Sequence, residues 1–248
     1  MHLESKHDEG TSPSWALARW LLLSLLLTGL CWTETQAAAT APEEGVALAL
    51  VYDTSGSMRE AVRTANGQRA AKYVVGNRAL EQIVRRIEQF ATNQATPRNV
   101  QAGLYIFQGN GSREAVAFSR FKASNFLDWL KSYRGPDSGT PLGTTLENAS
   151  RAVLASNLSQ KHILVITDGI NTVGPDPASV VPQIQKTAAK KQSAVFVHFI
   201  AFDIDAKVFA PLKKMGVTVV GAADEVQLQQ QLEFILEEKI LLEKDDKK

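Results

Sequence analysis

Residues 46–52 read Val-Ala-Leu-Ala-Leu-Val-Tyr, an unbroken run with no charged or amide side chain, closed by Gly45 before it and Asp53 after it. Such a run is too short for a buried helix. It suits a strand covered on both faces, the kind found in parallel sheets sandwiched between helices. Residues 162–167 and 194–202 are runs of the same character, 100–107 reads as a second strand, and 217–220 as a last one. Between them apolar residues recur at helical spacing: Leu80, Ile83, Val84, Ile87, Phe90 and Ala91; Leu146, Ala149, Val153 and Leu154; and Val226, Leu228, Leu232, Ile235, Leu236 and Leu242, with Asp224 as the N-cap of that final helix. Shorter helices are expected around Phe126, Leu127 and Leu130, over 177–191 and over 208–214, and Pro97 would stop the helix that contains Leu80. Gly109-Asn110-Gly111-Ser112 is a turn signal from which 114–118 pairs back as an edge strand. The alternation predicts an α/β fold: a three-layer, doubly wound, mainly parallel sheet with one antiparallel edge strand. Ligands of such sheets bind beyond the carboxyl ends of the strands, near the switch in strand order. The loops after the strands at Val46, His162 and Ala194 are therefore the place to look.

The chain has 248 residues with a formal net charge of +1, enough for one sizeable domain plus tails and with no global field to draw in nucleic acid or an anionic membrane. Its single cysteine, Cys31, excludes an internal disulfide framework and a cysteine zinc site. Cys31 lies in an apolar stretch over 20–32, preceded by Arg19 and followed by the small residues Ala37, Ala38, Ala39 and Ala41. The stretch falls short of the roughly 20 apolar residues that span a bilayer. Residues 1–39 are read as a secretory signal peptide, with an uncleaved membrane anchor as the alternative, since Glu4, Asp8 and Glu9 are unusual in a signal leader. Either reading places the domain outside the cytoplasm, secreted or periplasmic, and leaves the N-terminal segment as its only link to a membrane. Residues 40–45 read as a linker, 46–242 as the domain and 243–248 as a charged tail.

Directly after the first strand comes Asp53-Thr54-Ser55-Gly56-Ser57, a carboxylate and two hydroxyls alternating in a tight loop. Asp168, in Thr167-Asp168-Gly169, puts a second carboxylate on the same rim, and Thr140, in Ser138-Gly139-Thr140-Pro141, adds a third hydroxyl. Carboxylates and hydroxyls without a thiolate or imidazole suit hard cations: Mg²⁺ foremost, with Mn²⁺ or Ca²⁺ as alternatives.

These residues resemble the metal-ion-dependent adhesion site of von Willebrand factor A domains, also called integrin I-like domains. Asp53-x-Ser55-x-Ser57 is similar to the opening motif, Thr140 to the threonine of a Gly-Thr loop, and Asp168 to the aspartate after the fourth strand. The resemblance spans about 46–242. It implies that Asp53, Ser55, Ser57, Thr140 and Asp168 hold one divalent cation directly or through water. It also implies that a protein partner offers a carboxylate to that cation, in an adhesion or scaffold role. The segment between Met58 and the helix at Leu80 is longer than in many relatives and carries Arg59, Arg63 and Arg69. These arginines are set down as partner contacts, against the plainer reading of a solvated loop and a frayed helix start.

Two other functions stay open: a purely structural cation in a scaffold protein, and a metal-assisted hydrolase. Against an enzyme, an extra serine separates Thr54 from Gly56 relative to the Asp-Thr-Gly of aspartic proteases, no Gly-x-Ser-x-Gly elbow is present, and no base is evident beside the expected cation. Asp203 and Asp205 are expected to cap the next helix, and His162 and His198 to be packed strand residues.

Overall fold

The computed structural model describes residues 41–93, 98–137 and 139–241. The proposed signal or anchor segment, Pro97, Ser138, Leu242 and the charged tail lie outside them. No helix among the described residues is long and apolar enough to cross a membrane.

The central strand β1 (Glu43–Tyr52) pairs in parallel on both sides, with β4 (Val100–Gln108) and β6 (Leu158–Thr167). A small hairpin, β2 (Ala61–Arg63) and β3 (Arg69–Ala71), forms its own two-stranded sheet. The main sheet has the order β5-β4-β1-β6-β7-β8, where β5 is Gly111–Arg120, β7 Phe196–Phe202 and β8 Thr218–Ala222. All its pairs are parallel except β4 with β5, the expected antiparallel edge. That pair turns at Gly109-Asn110, and Gly109 takes the left-handed φ of 56° that such a tight turn requires.

Both faces of the sheet are covered, and β1 feeds both. Leu48, Leu50 and Tyr52 point into one core with α1 (Lys72–Ala91), α2 (Ala123–Ser132) and α6 (Glu225–Ile235). Ala47, Ala49 and Val51 point into the other with α3 (Leu142–Ala155), α4 (Pro177–Lys190) and α5 (Ala210–Lys214). This two-sided burial is why β1 is apolar at every position from Val46 to Tyr52 and shows no alternation there. Each large aliphatic side chain so buried contributes about 1.5–3 kcal/mol.

Local differences from the sequence reading have plain causes. Pairing begins at Glu43, whose N–H donates to the Asn157 carbonyl, so three of the residues read as linker are already strand. The segment read as solvated loop and frayed helix contains the β2–β3 hairpin, with Val62 buried beneath it. Three-residue strands with one inward side chain carry too little periodicity to announce themselves. Helix α1 starts at Lys72, well before Leu80. Asp224 caps α6 as expected, accepting from Gln227 N–H.

Candidate metal centre

The rim of the sheet is built outward from the last rung of β1. Asp53 N–H still donates to the Ile166 carbonyl, so Asp53 is fixed between β1 and β6 and its side chain is fully buried. One carboxylate oxygen, Oδ1, accepts from Ser55 N–H at 2.7 Å, and Oδ2 accepts from the Thr167 hydroxyl at 2.6 Å. Thr54 points away and ties the loop to β4 by donating to the Phe107 carbonyl. The chain then enters a short 3-10 turn, Gly56–Arg59, anchored by buried Met58. The Ser55 and Ser57 hydroxyls lie 3.0 Å apart, and Ser57 donates to Asp168 Oδ1 at 2.7 Å. Four of the five residues thus form one hydrogen-bonded chain.

Thr140 reaches the same volume from the start of α3. Its N–H donates to the Thr172 hydroxyl, and Thr172 N–H donates back to the Thr140 carbonyl. A Cβ added at Gly169 would stand 3.7 Å from Thr140 Oγ1 and 4.0 Å from Ser57 Oγ, so the two hydroxyls border one small space. The close approach depends on Gly143. A Cβ there would fall 1.9 Å from the Pro175 carbonyl oxygen, and Gly143 N–H donates to Asn171 Oδ1. The absent side chain lets the loop after β6 lie directly on the first turn of α3.

Electrostatically the centre is short of positive charge. Burial, and then the neighbouring charge of Asp168, push the Asp53 carboxyl up to about 6, against the hydrogen bonds from Ser55 and Thr167. Among the described residues the cation paired with Asp168 is Lys72, only 3% exposed, with its ammonium 3.1 Å from Asp168 Oδ2. The same nitrogen lies 2.9 Å from Glu60 Oε2 and 3.0 Å from Asp203 Oδ2. Burial works against the charge of Lys72, but its hydrogen bonds to Glu60, Asp203 and Asp168 outweigh that and hold it above the ordinary lysine value.

Thus Asp53, Ser55, Ser57, Thr140 and Asp168 lie together on the rim, two carboxylates and three hydroxyls from three loops. The three arginines do not converge with them. Arg59 donates to the Pro136 carbonyl and Arg69 to the Ala61 carbonyl, while Arg63 is exposed on β2. Asp205 caps the turn at Ala206–Phe209, but Asp203 does not cap it: its carboxylate goes to Lys72. Thr167 and Lys72 were missed in the sequence. Lys72 had a signal, since it extends upstream the stripe Val75, Gly76, Ala79, Leu80, Ile83 on the buried face of α1.

A family model for the von Willebrand factor type A domain matches residues 47–234, more than half of the chain. The chain belongs to this family. Among solved structures, the VWA domain of SpRpn10 is similar with a TM-score of 0.54 at 12% identity, covering 76% of this chain and 93% of that one. The PilB minor pilin from Streptococcus sanguinis matches with a TM-score of 0.59 at 15% identity, over 78% of this chain and 60% of that one. The pilus adhesin SpaC from Lactobacillus rhamnosus GG matches with 0.56 at 14% identity, over 77% of this chain and 30% of that one. The VWA chain thus spans less than two thirds of the length of the pilin and less than one third of that of the adhesin. No curated protein matches it. At these identities the likeness is one of fold: a six-stranded, mostly parallel sheet with one antiparallel pair, as the sequence predicts.

Proposed function

We propose that this VWA domain is a metal-dependent protein-binding module that acts outside the cytoplasm in adhesion or scaffolding. Asp53, Ser55, Ser57, Thr140 and Asp168 would hold one divalent cation, Mg²⁺ foremost and Mn²⁺ or Ca²⁺ as alternatives. The observation that carries this reading is the convergence of those oxygen donors, with no imidazole or thiolate, around two buried carboxylates of which Asp53 is strained toward protonation. Such a set fits a hard cation. When bound, the cation supplies a point charge that can accept a carboxylate from a partner. The chain's own part is to keep the donors in place: Thr167 orients Asp53, Ser57 orients Asp168, and the Thr172 and Asn171 contacts hold the Thr140 loop.

Two structural neighbours, a minor pilin and a pilus adhesin, agree with an extracytoplasmic adhesive role. The exposed Ile170, beside Asp168, would give a partner an apolar contact at the rim, and Arg59, Arg63 and Arg69 on the neighbouring turn and hairpin would meet its further acidic groups. The module is read as non-catalytic. A metal-assisted hydrolase needs a positioned base, and the basic side chain next to Asp168, Lys72, is taken up by three carboxylates.

Calorimetric titration with MgCl₂, MnCl₂ and CaCl₂ tests the centre. Uptake of one ion by the parent, lost in Asp53→Asn and Asp168→Asn variants that keep the parental circular dichroism, supports it, and absence of uptake by the parent refutes it. A pull-down from envelope and secreted extracts, with Mg²⁺ or with EDTA, tests the binding role.

A further inference from the structure

Lys72 opens α1, where a positive charge meets the positive end of the helix dipole. No helical requirement places it there, and helix α1 has no acidic residue in its first turn to offset it. Its surroundings explain it better. The ammonium is enclosed by Asp168, Glu60 and Asp203, which come from the loop after β6, the end of the 3-10 turn and the end of β7. Glu60 and Asp203 have side chains 69% and 39% exposed, while that of Asp168 is fully buried. The most desolvated partner of Lys72 is therefore the residue read as a metal ligand. Asp203 is held for this contact in a left-handed backbone, φ 54°, uncommon away from glycine, with its N–H donating to the Ala222 carbonyl. Asp168 then has both oxygens engaged by the protein, Oδ1 by Ser57 and Oδ2 by Lys72.

We propose that Lys72 is a built-in counter-ion of the metal centre, a positioning residue that keeps Asp168 oriented and neutralised without metal and lowers the affinity of the centre for a divalent cation. This rests on the metal-centre reading and adds a regulator of it. Buried carboxylates left without a cation would repel and swing apart. With Lys72 in place the apo centre keeps its shape, so the fold does not depend on the ion. The same fixed charge, a few ångströms from any divalent cation that Asp168 binds, opposes that ion, and its removal is worth at least about tenfold in affinity at an effective dielectric of about 20.

The test compares the full chain with Lys72→Met and Lys72→Arg by titration with MgCl₂ and MnCl₂ and by melting in EDTA and in Mg²⁺. Lys72→Met is expected to bind either ion at least tenfold tighter and to melt lower in EDTA, so that the gap between its two melting temperatures widens. Lys72→Arg, which keeps the charge, is expected to stay within about threefold of the parent affinity. A folded Lys72→Met with parental or weaker affinity overturns the proposal while leaving the metal centre standing. No uptake by the parent or either variant overturns the metal centre itself. Where Lys72→Met does not fold even in Mg²⁺, the double variant Glu60→Gln/Asp203→Asn decides. It leaves the Lys72 charge less balanced and is expected to bind metal several-fold more weakly, and parental affinity there overturns the proposal.

Discussion

Ser57 and Asp168 stand 111 positions apart in the chain and are joined by a 2.7 Å hydrogen bond, with the serine hydroxyl donating to Oδ1. The bond closes the first loop of the rim onto the loop after β6. Ser57→Ala removes it and leaves an acceptor of Asp168 without its partner, at a cost to stability of about 1 kcal/mol. The expected outcome is a small fall in melting temperature with a much larger loss of divalent cation uptake, read by parallel calorimetry and thermal melts. Equal metal affinity in the variant would remove Ser57 from the donor set.

Gly143 offers a steric test of the same rim. Gly143→Ala drives a methyl group into the Pro175 carbonyl and must displace either the loop or the start of α3, an overpacking cost of about 1–3 kcal/mol. Denaturant midpoints should fall accordingly, and metal uptake should weaken because Thr140 and Asp168 ride on the two displaced segments. Gly56→Ala is the control, since an added Cβ there meets nothing within 4 Å.

At the other end of the sheet, His162 Nδ1 and His198 Nε2 lie 3.2 Å apart, both rings buried and stacked, with Phe196 on His162. Burial, then the other ring, holds His162 down to about 3, and burial, then the charge of Lys239, holds His198 down to about 4. The unfolded chain takes up these protons near 6.5. Between those values it binds more protons than the native state, so stability is complete above about pH 6.5 and is lost as the pH falls, by up to about 1.4 kcal/mol per pH unit for each ring. Urea midpoints between pH 7.5 and pH 5 measure this slope. A His162→Phe/His198→Leu variant should flatten it, and an unchanged slope would place its origin elsewhere.

Glu225 ties the C-terminal helix to the hairpin. Its Oε2 accepts from Ala65 N–H at 2.9 Å and its Oε1 from Arg78 Nε at 2.7 Å. The Arg78 hydrogen bond, working against burial, holds this carboxyl below the ordinary glutamate value. Glu225→Gln should cost about 2 kcal/mol and accelerate amide exchange at Ala65 more than at Val62, whose side chain stays in the core.

The layered fold and the shared rim position of Asp53, Ser55, Ser57 and Asp168 were legible because each rests on a local rule: unbroken apolar runs for strands buried on both faces, and a carboxylate or hydroxyls directly after such a strand. The rest depended on tertiary context. Nothing local distinguishes Asp203 from Asp205, yet one reaches Lys72 across the rim and the other caps a turn. The hairpin was hidden because Val62 is the one buried apolar residue of two short strands otherwise made of alanine and arginine. Lys72 was passed over because a lysine on an apolar stripe reads as the end of the stripe, whereas here the stripe continues through it to a cluster of carboxylates.

The central position of β1 bears on how the protein is made. Its neighbours are β4 and β6, so during synthesis this strand emerges before both of its partners and keeps an edge open until the chain as far as Thr167 is available. A nascent or truncated chain ending before that point exposes an aggregation-prone template. Efficient production therefore calls for a holding chaperone, or for folding only after the whole chain has been delivered.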